Sequence, residues 1–336
     1  MTCNRQWLID GNPHGRAVRT SDFRLSSSSL APLAGEQLRI RVDYLEFTPS
    51  LKGQMENRLA YAQKTRAGEV MRGRGLGTVV ESRCTQVPTG ARVLGYLGWQ
   101  EYATLELGEI TVLPDDRFTR HHLGPLGSTG MAAYFGLFDA GRPNPGDVVL
   151  ISAAAGAVGS MVGQMAKLSE CRVIGVAGGP MKCRHLCDIL GLHEAIDYRE
   201  EDLPTRLREC APEGVNVVFD NVGGDFLQAA LGHLAVGARV VICGAISRYE
   251  AAQAPPGPSN YFNLVHKRAT MQGILSVDYR ERFPEAVAKI RAWLESGEFT
   301  YVEDIQQGFE NIPAAFLRLF SGQNLGKQLL RLQQVS

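Results

Sequence analysis

The run Ser152-Ala-Ala-Ala-Gly156-Ala-Val-Gly159 stands directly after the apolar stretch Val148–Ser152. A strand, a tight turn and a helix in that order form a cradle for a pyrophosphate. Glycine at 156 lets backbone approach the phosphates closely, and glycine at 159 lets the helix pack against the strand. The first helical residues, Ala157, Val158 and Gly159, would offer unpaired N–H groups and the positive end of the helix dipole to the anion. The next apolar run, Arg172–Val176, leads into Ala177-Gly178-Gly179-Pro180-Met181-Lys182. Sites that prefer NAD usually end this strand on an acid that holds the ribose 2′-hydroxyl. Here no carboxylate stands there and a cation follows, which suits a 2′-phosphate. Arg184 and the phenol of Tyr198 could assist. Taken alone, Lys182 is equally readable as a solvated helix-start lysine; with the missing acid, NADPH is expected.

These residues need particular elements to position them. Apolar runs without alternation recur at Val148–Ser152, Arg172–Val176, Val215–Phe219 and Arg239–Cys243, as in strands covered on both faces. Helix-like stretches lie between or after them at Gly159–Leu168, Met181–Leu190 and Gly224–His233. Alternating strands and helices predict βαβ units and a doubly wound parallel sheet. Residues 37 to 115 read differently. Gln37–Tyr44 alternates polar with apolar or aromatic side chains, and short β-prone runs follow at Gly77–Glu81, Ala91–Gly95 and Trp99–Leu105, each bounded by Gly or Pro. That punctuation predicts a β-barrel or sandwich. Ser26–Ser29 reads as a solvated loop, and Ala254-Pro-Pro-Gly-Pro258 as a rigid surface loop. Phe283, Val287, Ile290 and Leu294 recur at helical spacing with Gly297 as C-cap, a packing stripe without functional content.

The whole-chain properties exclude several classes. The 336 residues are enough for two domains, and 35 Lys+Arg against 35 Asp+Glu give zero net charge. A polyanion such as nucleic acid would need a basic stripe. The longest apolar stretch, Val148–Ala166, is broken by Gly156, Gly159 and Gly163, which fits strand, turn and helix better than a membrane span. The start Met1–Trp7 lacks the basic and apolar parts of a secretory signal. The seven cysteines form no CxxC pair. Cys183 and Cys187 flank His185 at helical spacing, but a closed zinc site needs further ligands. Free thiols in a reducing cytoplasm are expected. No GxSxG elbow supports Ser–His–Asp chemistry. Adjacent His121 and His122, opening a helix, read as surface residues rather than a proton relay.

Six runs carry a family resemblance: Gly68-Glu-Val-Met-Arg-Gly-Arg-Gly75, Gly98-Trp-Gln-Glu-Tyr-Ala103, Ser152-Ala-Ala-Ala-Gly-Ala-Val-Gly-Ser160, Asp220-Asn-Val-Gly-Gly224, Ile242-Cys-Gly-Ala-Ile-Ser247 and Asn324-Leu-Gly-Lys327. The chain resembles the zinc-free medium-chain dehydrogenase/reductases, in particular the prostaglandin reductases (alkenal/one oxidoreductases) and curcumin-reductase-like proteins. The resemblance implies a GroES-like β-barrel-type substrate domain over 1–124 and 303–336, flanking a Rossmann dinucleotide-binding domain over 125–302. It also implies NADP(H), no zinc, and a homodimer. Zinc-dependent relatives carry a Gly-His-Glu motif and a four-cysteine lobe, and neither occurs here. By motif match, Thr129, Gly156, Ala157, Val158, Gly159 and Gly178 would hold the cofactor, with Lys182 and Tyr198 at its 2′-phosphate. Asn221, Cys243, Gly244, Ala245, Ile246 and Asn324 would line its ribose and nicotinamide parts. Tyr249 aligns with the tyrosine near the reacting carbonyl.

The implied reaction is hydride transfer to the β-carbon of an α,β-unsaturated carbonyl compound, with charge collecting on the carbonyl oxygen as an enolate. The protein must then supply orientation and a hydrogen bond to that oxygen. Tyr249 could donate it, the cofactor's ribose hydroxyl could share the role, and protonation would follow. Tyr44, Tyr61, Tyr96 and Tyr261 are other candidates to line a cleft. Carbonyl or alcohol redox on the same scaffold, a hydride-triggered cyclisation, and NADPH binding without turnover remain alternatives. Two departures bear on substrate choice. The family's Asp-Pro pair followed by an arginine is replaced by Thr48-Pro49 with Lys52 as the nearest cation. Ser128 stands where methionine is common.

Overall fold

The computed structural model describes residues 3–59, 63–251, 253 and 255–332. The N-terminal part is built from β1 (Cys3–Ile9), β2 (Phe23–Ser29), β3 (Leu38–Glu46), helix α1 (Ser50–Met55), β4 (Gly75–Ser82), β5 (Arg92–Gly95), β6 (Tyr102–Leu105) and β7 (Ile110–Leu113). All its pairings are antiparallel. The alternating segment predicted from Gln37 is β3, the hub of the sheet, paired with β4 on one side and β6 on the other. Its apolar side chains Leu38, Ile40, Val42 and Leu45 join a core around the fully buried Trp99, whose ring meets Phe23, Phe47 and Phe316 at 4.8, 5.7 and 5.6 Å. The serine run is not a loop. Ser26–Ser29 is the end of β2, zipped in register to Cys3–Gln6 of β1. Small polar side chains suit a strand with most of its length exposed, because cross-strand pairing satisfies the backbone without needing an apolar face.

The period then changes, as the apolar runs predicted. Helix α2 (Ser128–Phe135) precedes β8 (Val148–Ile151), α3 (Ala157–Leu168), β9 (Arg172–Ala177), α4 (Pro180–Arg184), β10 (Glu194–Asp197), α5 (Leu203–Cys210), β11 (Val215–Asp220), α6 (Gly224–Leu231), β12 (Leu234–Ile242), α7 (Asn263–Lys267), β13 (Thr270–Gly273) and α8 (Phe283–Ser296). The six strands form one parallel sheet in the order β10-β9-β8-β11-β12-β13. The chain therefore winds outward from β8 on one side, then crosses and winds outward from β11 on the other. In such sheets ligands bind beyond the carboxyl ends of the strands at the point of reversal, here between β8 and β11. Val149, Leu150, Ile151, Val173, Ile174, Val217, Val218 and Phe219 are fully buried, the condition their uninterrupted apolar character predicted. The stripe on α8 is a packing stripe: Ile290 is fully buried, and Gly297 caps the helix at φ 78°. The segment 255–258 has no regular structure, and Ala254 lies outside the described residues.

The chain returns through β14 (Glu303–Gln307), α9 (Ile312–Leu317) and β15 (Lys327–Arg331), and β15 pairs with β3. Two compact units result. One comprises the segment up to Leu123, Glu303–Asn324 and the chain from Gln328 onward; the other comprises Gly124–Val302 and Leu325–Lys327. Among the described residues no helix is long and apolar enough to cross a membrane.

Candidate functional site

Three loops at the carboxyl ends of the parallel strands carry the candidate residues. After β8, Ala153 adopts a left-handed φ of 46° and Gly156 N–H donates to Ala153 O at 2.8 Å, closing the turn into α3. Gly156 caps the helix without a side chain, so the N–H groups of Ala157, Val158 and Gly159 lack helical acceptors and face outward. A Cβ on Gly159 would lie 2.4 Å from Ala153 O and 2.8 Å from Ala154 Cα. Only glycine allows the helix so close to the turn. This is a backbone anion cradle of the kind a pyrophosphate fills. Its outer wall comes from far along the chain. Gly326 bridges to Gly156 in parallel, and its N–H donates to Ala155 O at 2.8 Å. The next residue, Lys327, is fully buried, and its ammonium donates to Thr129 Oγ1 at 3.1 Å. Thr129 was anticipated by motif, whereas Lys327 was not singled out. A lysine opening an apolar strand (Lys327-Gln-Leu-Leu-Arg331) was the available signal, since burial of a lysine demands a polar partner.

The second loop joins β9 and β10. Gly178 lies against the side chains of Tyr198 and Arg199: a Cβ there would come within 2.9 Å of the Tyr198 hydroxyl and 2.8 Å of Arg199 Nε, so those side chains would have to move. Tyr198 is 57% exposed, and the Arg199 guanidinium sits 5.9 Å from its ring. Asp197, buried at the end of β10, ties the loop together by accepting from Gly179 N–H at 2.8 Å and Arg199 N–H at 3.1 Å. Lys182 is half-buried on the short α4, whose residues give way to a π-helical stretch His185–Ile189, so the predicted Met181–Leu190 helix is not regular throughout. Gly178, Tyr198 and the unanticipated Arg199 thus occupy the loops at the ends of adjacent strands, and Lys182 follows Gly178 on α4. A guanidinium and a phenol beside a glycine are groups that suit a phosphate monoester. Arg184 is exposed, and burial raises the thiols of Cys183, to about 11, and of Cys187.

The third loop cluster joins the ends of β11 and β12. Asp220 is fully buried, and burial pushes its carboxyl upward against the opposing pull of the Gly223 and Val222 N–H groups and the Ser152 hydroxyl. Asn221 follows it. Cys243 and Gly244 N–H both donate to Asp220 O, at 2.8 and 3.1 Å, and Ile246 N–H donates to Asn221 O at 3.3 Å. Asn221, Cys243, Gly244, Ala245 and Ile246 are thereby drawn into one patch. Burial pushes the Cys243 thiol up to about 12, which makes it a neutral lining group rather than a nucleophile. Tyr249 is half-buried just past the short turn Ile246–Arg248.

Other candidates fall elsewhere. Asn324 is grouped with the first unit and the rest of the anticipated set with the second. Tyr44 lies between two guanidinium groups, Arg120 at 5.6 Å and Arg331 at 5.9 Å, the former also paired with Glu303 at 2.7 Å. Tyr96 is exposed beneath Arg72, at 4.6 Å, and Tyr261 is exposed before α7. Tyr61 lies outside the described residues. His121 and His122 are half-buried rather than on the surface; the ring of His121 packs edge-on against Phe118, and burial lowers its pKa. Thr48 Oγ1 bonds Ser50 Oγ at 2.8 Å. Lys52 is fully buried, paired with Glu56 and donating to Pro13 O at 3.2 Å. It holds α1 in place and does not stand in for an exposed arginine. Ser128 opens α2. Among the described residues, no group of three or more His, Cys, Asp or Glu could hold a metal ion.

Residues 157–292 match the family described as zinc-binding dehydrogenase, and residues 5–113 match the family described as N-terminal domain of oxidoreductase. The chain is 36% identical to the NADPH-dependent curcumin reductase of Escherichia coli (strain K12), over 98% of its own length and 96% of that protein's. It is 35% identical to prostaglandin reductase 1 of Oryctolagus cuniculus, covering 96% and 92% of the two chains. The crystal structure of CurA from Vibrio vulnificus in complex with NADPH is 38% identical and superposes with a TM-score of 0.92 over 98% of this chain and all of that one, 100%. With a GroES-like β-unit, a doubly wound parallel sheet and full-length relatives of this kind, the chain belongs to the zinc-free medium-chain dehydrogenase/reductase family, in the group that contains the curcumin and prostaglandin reductases.

Proposed function

We propose that this protein is an NADPH-dependent reductase of the carbon–carbon double bond in α,β-unsaturated carbonyl compounds. The observation that carries the reading is the second loop: Gly178, Lys182, Tyr198 and Arg199 stand where an NAD site would place an acid, beside an intact pyrophosphate cradle. The names of the relatives, curcumin reductase and prostaglandin reductase, point to the same cofactor and substrate class. The segment 125–302 is the dinucleotide-binding domain in this reading, and the segments 1–124 and 303–336 form the substrate domain.

When bound, NADPH supplies the hydride. The N–H groups of Ala157, Val158 and Gly159 hold its pyrophosphate, while Lys182, Tyr198 and Arg199 bind the 2′-phosphate. Thr129, Asn221, Cys243, Gly244, Ala245, Ile246 and Asn324 line the remainder. Tyr249 donates a hydrogen bond to the substrate's carbonyl oxygen, where negative charge collects, and such a donor is worth about 3 kcal/mol in the transition state. The high pKa of the Cys243 thiol keeps a competing nucleophile away from an electrophilic substrate.

The assembly in this reading is a homodimer. Strand β13 is an edge of the parallel sheet, all of it exposed, and beside it Tyr261, Phe262 and Val265 expose apolar side chains. An open edge flanked by apolar surface suits a second copy, whose own β13 would pair with it across a two-fold axis. The seven free cysteines favour a reducing compartment, the cytoplasm.

Loss of reduced-nicotinamide absorbance against a panel of enals, enones and simple ketones, with product identification, tests the assignment. Saturated carbonyl products are expected. Turnover of ketones alone would move the protein to carbonyl reduction, and tight NADPH binding with no turnover on any substrate would make it a binding protein.

A further inference from the structure

The sheet reverses its winding between β8 and β11, and a buried side-chain pair spans that line. Ser152, at the end of β8, and Asp220, at the end of β11, are 1% and 0% exposed. The Ser152 hydroxyl donates to Asp220 Oδ1 at 2.8 Å and accepts from Asn221 N–H at 2.7 Å. Asp220 Oδ1 also accepts from Val222 N–H at 2.8 Å, and Gly223 N–H reaches both carboxylate oxygens at 3.0 Å. Each of these hydrogen bonds comes to the carboxyl group from a donor, which offsets the cost of burying it.

The consequence falls on Asn221. Its carboxamide Nδ2 donates to the Ser152 main-chain carbonyl at 2.9 Å. That bond holds the carboxamide, whose Oδ1 is an acceptor on a half-buried residue. The same carboxylate holds the turn that carries Gly223 and Gly224 through left-handed φ values of 73° and 56°. Ser247, from the loop after β12, is hung on this turn by its N–H and its hydroxyl, which donate to Val222 O at 3.2 and 2.5 Å. Ser152 therefore holds Asn221 twice, its hydroxyl on the backbone N–H and its carbonyl on the carboxamide, while Asp220 holds the turn from which the loop leading to Tyr249 hangs. The hydroxyl bridge satisfies the buried carboxyl group, and it also places an acceptor, Asn221 Oδ1, beside the sheet reversal where ligands of such sheets bind.

We propose that Ser152 and Asp220 are positioning residues for the nicotinamide-ribose half of the cofactor, acting through Asn221, whose Oδ1 accepts from a ribose hydroxyl or the nicotinamide carboxamide. This rests on the NADPH reading above and adds residues that touch no cofactor atom themselves. It predicts a split between the two halves of the dinucleotide, because the 2′-phosphate end is built on β9 and β10 and shares none of these hydrogen bonds.

The experiment titrates wild type and Ser152→Ala with NADPH and with adenosine 2′,5′-bisphosphate, which carries the 2′-phosphate but no nicotinamide, following protein fluorescence. For Ser152→Ala, which removes the anchor on the Asn221 N–H, NADPH binding should weaken about tenfold, roughly the worth of the one hydrogen bond Asn221 would no longer hold in place, with kcat falling by a similar factor. Bisphosphate affinity should stay within about twofold on the same argument of separate hydrogen bonds. Ser152→Thr, which keeps the hydroxyl, should restore NADPH binding. Equal weakening of both ligands would overturn the proposal and leave the pair a brace of the fold; unchanged NADPH affinity would overturn it too. Should Ser152→Ala fail to fold, Asn221→Ala must show the same split, and its absence there is equally fatal. Wild-type protein that binds neither ligand would instead sink the cofactor reading.

Discussion

The two ends of the candidate cofactor site are built on opposite plans. At the β9–β10 end the candidate groups are side chains on short segments after the strands: Tyr198 is 57% exposed, Arg199 is exposed and Lys182 is half-buried. At the β8–β11–β12 end they are buried hydrogen bonds, with Asp220 fully enclosed and Asn221, Cys243 and Ile246 tied to it through the backbone. Exposed charges select by Coulomb attraction, work in high dielectric, and can be exchanged without disturbing the core. Buried donors and acceptors select by direction, and each is coupled to the fold because an unpaired partner costs about 1–3 kcal/mol. One end should therefore be tunable, and the other should resist change.

The sharpest break in that contrast is steric and lies between the two ends. Gly159→Val would drive side-chain atoms into the Ala153 carbonyl, where even a Cβ has only 2.4 Å, and should cost more than about 3 kcal/mol of stability in urea unfolding. Tyr249→Phe comes next. With the phenol gone, kcat should fall about a hundredfold with little change in substrate KM, the pattern of a hydrogen bond made only in the transition state. An unchanged kcat would reduce Tyr249 to lining. At the exposed end, Lys182→Ala should weaken NADPH by about 1–3 kcal/mol and leave NADH unaffected. NADPH binding should also weaken with salt more than NADH binding does, since the phosphate contact is screened. Equal losses for both cofactors would remove Lys182 from the 2′-phosphate. The smallest effect concerns the buried end: with its thiol pushed up to about 12, Cys243 should react with a neutral thiol reagent far more slowly at pH 7 to 8 than exposed Cys3, and accelerate only as the pH climbs towards that value.

Much of this was legible from residue order. The unbroken apolar runs gave away strands buried on both faces, and Ser152–Gly159 announced its turn because glycine spacing and the flanking strand are local properties. Lys182 and Tyr198 were singled out by their places after apolar runs and by motif match. The misses share a cause. The serine run of β2 has no apolar face, so its strand state depends on pairing with the preceding strand β1, which periodicity within the run does not show. Lys52 read as the cation nearest to the family's arginine position, yet it is buried against Glu56 and the Pro13 carbonyl.

Sequence by itself determined the fold class, the anion cradle and the missing acid that points to NADPH, since each depends on residues within one strand–turn–helix unit. Only the tertiary structure decided which side chains close around it. Ser152 meets Asp220, Lys327 meets Thr129, and Gly326 bridges to Gly156 across 68, 198 and 170 positions of chain. Hydrogen bonds act over about 3 Å, and no local pattern of residue types states which distant groups folding will bring within that reach.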